Sequence, residues 1–466
     1  MSNPPSDPSE PLRELLEVPA IARELGALFQ RGGYQLYLVG GAVRAALLGE
    51  SGTDLDFATD ARPPQITALL QEWADARYLV GVRFGTVGAR KRDHLLEITT
   101  FREDVYVEDS RRPHVSFAKD IETDLSRRDF TINAMAVRLP DGEFVDPFRG
   151  LYDLAHKTLR TPLEPEVSFS DDPLRMLRAA RFVSTLGMKP TEDVLGAIDG
   201  MRDRLEIVSA ERIRDELSKL LLGDHIDRGL DLLVQTGLAD IFLPELPALR
   251  LEQDPVHRHK DVLRHTLAVV KRCEPDLVLR LAALLHDVGK PKTRQITPEG
   301  VQFHHHEVVG ARIAEERLRA LRYSNEVIRD VVQLVEMHLR FHTYRMGWSD
   351  RAIRSYVRDA GPLLDKLNQL TRADCTTQNP DKARMLARLQ DDLEERIAQL
   401  AEEENLAAIR PPLDGNQVME HLGIPPGPLV GEALSYLLEI RMDRGPIEEE
   451  EAYRLLADWY RERGGD

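Results

Sequence analysis

The spacing of apolar and polar positions changes several times along the chain, and the changes divide it. Residues 11–30 carry apolar positions at helical spacing, which predicts a short amphipathic helix. Leu36, Leu38 and the run up to Gly40 read as a buried strand; Gly40-Gly41 punctuates it, and Ala42 to Leu48 has helical composition. A second strand carries Asp54 and Asp56. After a polar turn at Arg62-Pro63-Pro64 come a helix over QITALLQEWADA and alternating strands through Val87 and His94 to Thr99. Arg102 to Phe117 has mixed charge, Pro113 and no clear period, so a mobile loop is expected. From Phe130 onward the apolar positions suit a helix packed on the sheet, and from Leu151 helix formers take over and strands stop. The fold class expected is α+β: a small mixed β-sheet in the N-terminal part, followed by helical domains.

Length sharpens this division, because 466 residues exceed one compact core and imply two to four domains. Charged residues make up 30% and apolar residues 42%, as in a globular protein with charged helices. No apolar run approaches the length of a membrane span. MSNPPSDPSEP at the start lacks a basic end and an apolar core, so it reads as a disordered lead. Two distant cysteines, Cys273 and Cys375, fit no disulfide framework and suit a reducing cytoplasm. The net charge of −17 is unfavourable for a nucleic-acid partner, but DDLEE, AEEEN and IEEEEA concentrate much of the acid in the last quarter, leaving room for basic patches elsewhere.

The chemistry begins at the second strand. Two aspartates one residue apart project from the same face of a strand. Their repulsion is usually met by a hard cation, and Mg²⁺ is typically held by one or two carboxylates plus substrate phosphate oxygens. Gly40 and Gly41 let the backbone approach a triphosphate, and Arg44, one turn on, can donate charge-assisted hydrogen bonds to it. Glu97 is a candidate third carboxylate. Gly-Gly is commonly a turn and Asp-x-Asp commonly a solvated strand end. Together, within one strand-helix-strand unit, they point to metal-assisted phosphoryl or nucleotidyl transfer.

GGAVR followed by DLDFAT resembles the head motif of the class II nucleotidyltransferases, the family of CCA-adding enzymes and bacterial poly(A) polymerases. Ala45 stands where that family usually has Asp. RRDFTINAMA resembles a second family motif, which implies a phosphate or sugar contact for Arg128 and an architectural part for Asp129 and Asn133. Taken without the resemblance, Arg127 and Arg128 would more commonly be a surface feature. Asp146 and Gly150 in VDPFRG match a weaker third motif that resembles a hinge between head and neck. In the family, a flexible loop at the place of residues 102–117 accompanies addition of the terminal A.

Ser170 to Phe182, SDDPLRMLRAARF, reads as a helix start with an Asp cap and Pro173 in the first position. Asp172 and Arg175 lie three apart, so one helical face can offer a planar partner an acceptor and a forked donor. Cytosine and adenine present an exocyclic amino group to a carboxylate, whereas uracil and guanine present a carbonyl. A buried polar group left unpartnered costs about 1–3 kcal/mol, so one such pair can favour C and A. The resemblance extends here. The family's base-reading motif is an acid, Asp, two residues and Arg, matched by Asp171-Asp172-Pro173-Leu174-Arg175. It implies that Asp172 and Arg175 replace a nucleic-acid template and that Arg178 and Arg181 contact the triphosphate. Further on, SAERIRDELSKLLL offers Ser209 as a cap and Glu211 to Glu216 as a charged helix face. In the family a similar segment props the neck, with Arg212, Arg214 and Lys219 as candidate tRNA phosphate contacts.

A different chemistry follows Leu243-Pro244-Glu245. His257, His259 and His265, then His286-Asp287, then His306, His338 and Asp374 fall on successive helical strings. A helical histidine is more often a core residue, but imidazoles and carboxylates in this order suit a divalent transition metal or Mg²⁺. Lys290, one turn after Asp287, could meet a phosphate. The pattern resembles an HD phosphohydrolase domain, with His265, His286, Asp287 and Asp374 in its core set and His306 and His338 in an extended set that can bind more than one metal. The implied chemistry is phosphoesterase or cyclic phosphodiesterase action by metal-activated water. The last helices, from Pro411 to Tyr460, carry an acidic face and resemble the tail of the bacterial enzymes.

The whole reading is an N-terminal lead and helix (1–30), a nucleotidyltransferase head (31–150), a helical neck that binds nucleobase and RNA (151–245), an HD domain (246–400) and a helical tail (401–466). The expected activity is template-independent addition of C, A or both from CTP and ATP to a tRNA 3′ end. The head is expected to use Mg²⁺, with a cytoplasmic setting, no membrane partner and an open oligomeric state. The alternatives are a poly(A) polymerase and an HD phosphohydrolase with an RNA-binding head.

Overall fold

A computed structural model describes residues 18–50, 54–79, 81–105, 114–118, 120–251, 261–297, 300–375, 379–404 and 410–463. The expected lead, the first part of the expected N-terminal helix, and His257 and His259 lie outside these residues. Two units form, one up to Phe242 and one from Leu243.

The first unit is built on a seven-stranded sheet. Its strands are β1 (Leu36–Val39), β2 (Asp54–Thr59), β3 (Ala76–Tyr78), β4 (Thr86–Lys91), β5 (His94–Thr100), β8 (Ala136–Leu139) and β9 (Phe144–Val145), in the order β3-β4-β5-β2-β1-β8-β9. β2 and β5 run parallel, with Asp54 opposite Leu95 and Asp56 opposite Glu97, while the other neighbours are antiparallel. Alternation sends Leu55, Phe57, Leu96 and Ile98 to one face, where they join Leu36 and Leu38. The Ala20–Arg31 helix covers that core with Ile21, Leu25 and Phe29, which recur at helical spacing. The opposite face holds Tyr37, Val39 and Ala58 against Phe101, Leu125 and Ala134. Asp54 and Asp56 share the alternation of Ala58, so both acids rise from this second face.

Four expectations change, the first being the helix over QITALLQEWADA, which runs Pro63–Leu69 and gives way to β3 at Ala76. The apolar run from Phe130 is a 3₁₀ turn at Thr131–Asn133 and then β8, paired to β1 from Leu36↔Leu139 to Val39↔Ala136. Ala136, Val137 and Leu139 are all buried, and a strand covered on both sides has no period to separate it from a helix. Residues 102–117 are not wholly loop: β6 (Arg102–Val105) pairs antiparallel with β7 (His114–Phe117), and 106–113 lie outside the described residues. Strands also continue past Leu151, as the short parallel pair β10 (Thr158–Leu159) and β11 (Lys189–Pro190) and the later hairpin β12 (Arg294–Thr297) with β13 (Gly300–Phe303).

The corner after β9 is tightly packed. Asp146 accepts from the Gly150 and Leu151 amides at 2.6 and 3.0 Å. A Cβ on Gly150 would lie 2.1 Å from the Thr131 carbonyl oxygen, so only glycine fits. Beyond it, the Leu174–Leu186 helix packs against the helices Ala210–Leu221 and Ile226–Gln235.

In the second unit the helices Val262–Arg272, Leu277–Leu285, Asn325–Met337 and Leu364–Asp374 pack on one another, and His306–Ala320 lies along Asn325–Met337. A helix from Pro380 to Glu404 follows. Gly415–Leu422, Pro428–Arg444 and Glu449–Glu462 close a separate core of Leu413, Val418, Leu437, Leu456 and Trp459. Among the described residues no helix is long and apolar enough to cross a membrane.

Candidate active site

The acids of β2 face neighbours of their own sign. Glu97 is the register partner of Asp56, and the Asp56 carboxyl is raised above its usual range. Its side chain reaches water, yet loss of solvation on the sheet is the main cause. Glu97 and Asp54 add to it, and Arg128 opposes them. Asp54 and Asp56, two carboxylates on one face of β2, are a donor pair of the kind a hard cation takes together with substrate oxygens.

Gly40 holds φ at 68°, and a Cβ there would lie 2.7 Å from Arg128 Nη1. Glycine therefore both makes the turn and leaves room for that guanidinium. Arg128 is fixed from behind by Asp124, which its Nη2 meets at 3.2 Å. The buried Asp124 also accepts from the Arg102 amide at 3.2 Å, at the start of β6. One carboxylate thus joins the β6–β7 ribbon to the arginine beside the glycine turn. A Cβ on Gly41 would lie 3.8 Å from Arg44 Nη2, which places that guanidinium beside the turn.

Arg44 donates to Asn133 Oδ1. With Ala45 next to it, the acceptor comes from the second motif. Asn133 donates to Asp129 at 2.8 Å, and Asp129 receives Arg178 Nε and Nη2 at 2.8 and 2.5 Å. Arg178 Nη1 lies 3.3 Å from Glu216, whose other oxygen is 2.6 Å from Arg181 Nε. The guanidinium carbons of Arg44, Arg178 and Arg181 lie 5.2, 5.7 and 4.1 Å from the centre of the Phe182 ring. Burial pushes Arg44 and Arg181 below the usual guanidinium range, and repulsion from Arg178 adds to it. Burial alone would raise Asp129, but Arg178, Asn133 and the Phe130 amide hold its carboxyl well below the usual range.

Asp172 and Arg175 are placed differently from the one-face expectation. Pro173 already has helical angles, so Asp172 stands before the helix in extended backbone and caps it through Leu174 N at 3.2 Å. Arg175 turns inward at 8% exposure. It donates to Ser168 Oγ at 2.9 Å and to the Arg127 carbonyl at 2.5 Å, tying the helix to the second motif. Asp172 pairs with Arg212 instead.

The second unit brings six of its candidate ligands together. His265, His286 and Asp374 form one group and Asp287, His306 and His338 another. His265 Nε2 is 2.9 Å from Asp374, and Asp287 faces His286 at 3.2 Å and His306 at 3.4 Å. Backbone carbonyls of Ala283, Phe303 and Val335 accept from Nδ1 of His286, His306 and His338, which turns each Nε2 into the cluster. Burial pushes His338 down to about 3, and its Nε2 is buried with no hydrogen-bond partner. A neutral imidazole with an idle lone pair beside two carboxylates fits a divalent metal. Lys290 meets Asp287 at 2.6 Å, so the acid has a second source of positive charge.

Phe182, Asp124, Glu216 and His342 escape the sequence reading. Glu216 is 4% exposed rather than part of a solvated face, and its place among Ile213, Leu217 and Leu220 at helical spacing is the signal for an inward face. His342 Nε2 is 3.5 Å from Asp374, four residues after His338.

Three known domain families match along the chain. The Poly A polymerase head domain matches residues 36–160, the probable RNA and SrmB-binding site of polymerase A matches 187–249, and the HD domain matches 262–404. The chain is 34% identical over 445 residues to an A-adding tRNA nucleotidyltransferase of Deinococcus radiodurans, covering 92% of this chain and 96% of the relative. It is 34% identical over 443 residues to a CC-adding tRNA nucleotidyltransferase of Thermus thermophilus, covering 92% and 93%. The crystal structure of a Bacillus stearothermophilus CCA-adding enzyme in complex with CTP aligns with a TM-score of 0.70 at 27% identity, over 96% of this chain and 99% of that one. Full-length likeness at this identity, together with paired acids, an arginine-lined turn and a histidine-aspartate centre, makes the chain a member of the tRNA nucleotidyltransferase family.

Proposed function

We propose that the chain adds C, A or both from CTP and ATP to the 3′ end of tRNA without a nucleic-acid template. The observation that carries this is the lattice of Arg44, Asp129, Arg178, Glu216 and Arg181 around Phe182, in the same unit as the acids of β2. Asp54 and Asp56 would hold Mg²⁺, which when bound neutralises triphosphate oxygens and lowers the pKa of the attacking 3′-hydroxyl. Gly41 lets the backbone approach the phosphates, while Arg44, Arg128, Arg178 and Arg181 position them. Asp172 and Arg175 read the base, which asks Arg175 to exchange some internal partners for substrate. The 3′-hydroxyl gives up its proton to solvent as its oxygen bonds to the α-phosphorus and the bond to the leaving pyrophosphate breaks. The β6–β7 ribbon favours addition of the terminal A.

The proposed division of labour is transferase at 31–150, base and RNA reading at 151–245, metal-dependent phosphoester hydrolysis at 246–400 and a tail at 401–466, in a cytoplasmic protein. His265, His286, Asp287 and Asp374, with His306 and His338, would hold a transition metal or Mg²⁺ that supplies a hydroxide. The second reading, a phosphohydrolase whose head only binds RNA, takes its support from the completeness of this cluster.

Incubation with tRNA ending at the discriminator base, at C or at CC, with CTP or ATP separately, tests the transferase. Extension of CC-ended tRNA alone by ATP defines an A-adding enzyme. Asp54→Ala and Asp56→Ala should abolish incorporation; if both retain it, the reading fails. Incorporation lost in Asp54→Ala with phosphohydrolase activity retained separates the two centres.

A further inference from the structure

We propose that Arg212 is a positioning residue that aims the Asp172 carboxylate and thereby sets which bases are accepted. The inference rests on the reading of Asp172 as the acid that meets the base. Asp172 has φ −145° and ψ 100°, between the helices Pro165–Asp171 and Leu174–Leu186. Its Oδ1 accepts from Leu174 N at 3.2 Å and its Oδ2 from Arg212 Nη2 at 2.7 Å. Each oxygen has one donor, so the carboxylate cannot turn about its last torsion without losing a bond. The lone pairs left for an exocyclic amino group therefore point in fixed directions. Without Arg212, one long backbone contact restrains a torsion that is intrinsically broad.

Arg212 is itself held in place. It lies in the first turn of the Ala210–Leu221 helix, where Ser209 Oγ accepts its amide N–H at 3.4 Å. Glu216, one turn along the same face, binds Arg178 and Arg181. One helix face thus offers a cation to the base-reading end of the neighbouring helix and an anion to its triphosphate end. The charge of Asp172 is also felt at Arg178, so the two ends belong to one site.

Exposure decides what kind of role this is. The two side chains are 52% and 29% exposed, and an ion pair so open to water adds little stability. Its effect is orientation, which appears in selectivity. A residue serving only as an RNA phosphate anchor would instead act on tRNA affinity without regard to the incoming base.

The test uses full-length Arg212→Ala, Arg212→Lys and Asp172→Ala, with thermal midpoints and kcat and KM for CTP, UTP, ATP and GTP on matching tRNA ends. Arg212→Ala should keep its midpoint and its KM for tRNA, while its preference for CTP over UTP, or ATP over GTP, falls about tenfold. Lysine should recover part of the preference. If the alanine variant melts early, Arg212→Met replaces it under the same criterion. The proposal is overturned if preference is intact in folded Arg212→Ala but lost in Asp172→Ala, or if only the tRNA KM rises. If Asp172→Ala keeps the preference as well, the base-reading assignment fails and this inference falls with it.

Discussion

Asp129 is 8% exposed and serves three partners, Arg178, Asn133 and the Phe130 amide. Removing one side of a buried ion pair leaves a charge without compensation, so Asp129→Ala should cost about 3 kcal/mol in urea unfolding, the low end because Arg178 keeps some water. The pH dependence has a definite sign. Asp129 is held below its unfolded pKa, so its stabilisation is complete above about pH 4 and is lost as the pH falls through the folded value. The stability gap between wild type and Asp129→Asn should therefore narrow below pH 4. Gly40→Ala meets both a positive φ, which costs about 1 kcal/mol for an alanine, and Arg128 Nη1 at 2.7 Å. It should raise the nucleotide KM, measured under saturating tRNA, more than it lowers the melting point.

The Asp-x-Asp strand was legible because a period of two leaves no choice about which face its acids share. β8 was not, since a strand buried on both sides looks like any apolar run. The β6–β7 ribbon is hidden in the sequence because REDV carries no clear alternation of apolar and polar residues and HVSF alternates over only four, although the two strands form a sheet of their own. Glu216 was hidden for another reason. A charged residue in a charged helix reads as solvated until two arginines from the Leu174–Leu186 helix are found against it. Glu216→Gln keeps the shape but removes the charge, and should weaken triphosphate binding by leaving Arg178 and Arg181 to repel each other. Calorimetric titration with CTP or ATP checks this. The convergence of His265, His286, Asp287, His306, His338 and Asp374 was legible because they come one or two to a helical string in a recognisable order, whereas His342, on a 3₁₀ turn among the described residues, carries no such signal.

At the scale of the chain, the acids of β2 and the arginine lattice lie in one unit and the histidine-aspartate cluster in the other. His286→Ala removes an imidazole whose Nε2 faces both Asp287 and Asp374, so metal analysis of the purified full-length variant should show lost tightly bound ion. The ring of Phe182 adds a last consequence. It brings three cations together while contributing no charge, and two acids balance most of what it gathers. The work of crowding like charges is completed during folding, so on the proposed function a nucleotide's phosphates would meet three cations already placed. Phe182→Leu would preserve every charge yet let the cations wander, so its binding loss should appear as unfavourable entropy with nearly unchanged enthalpy.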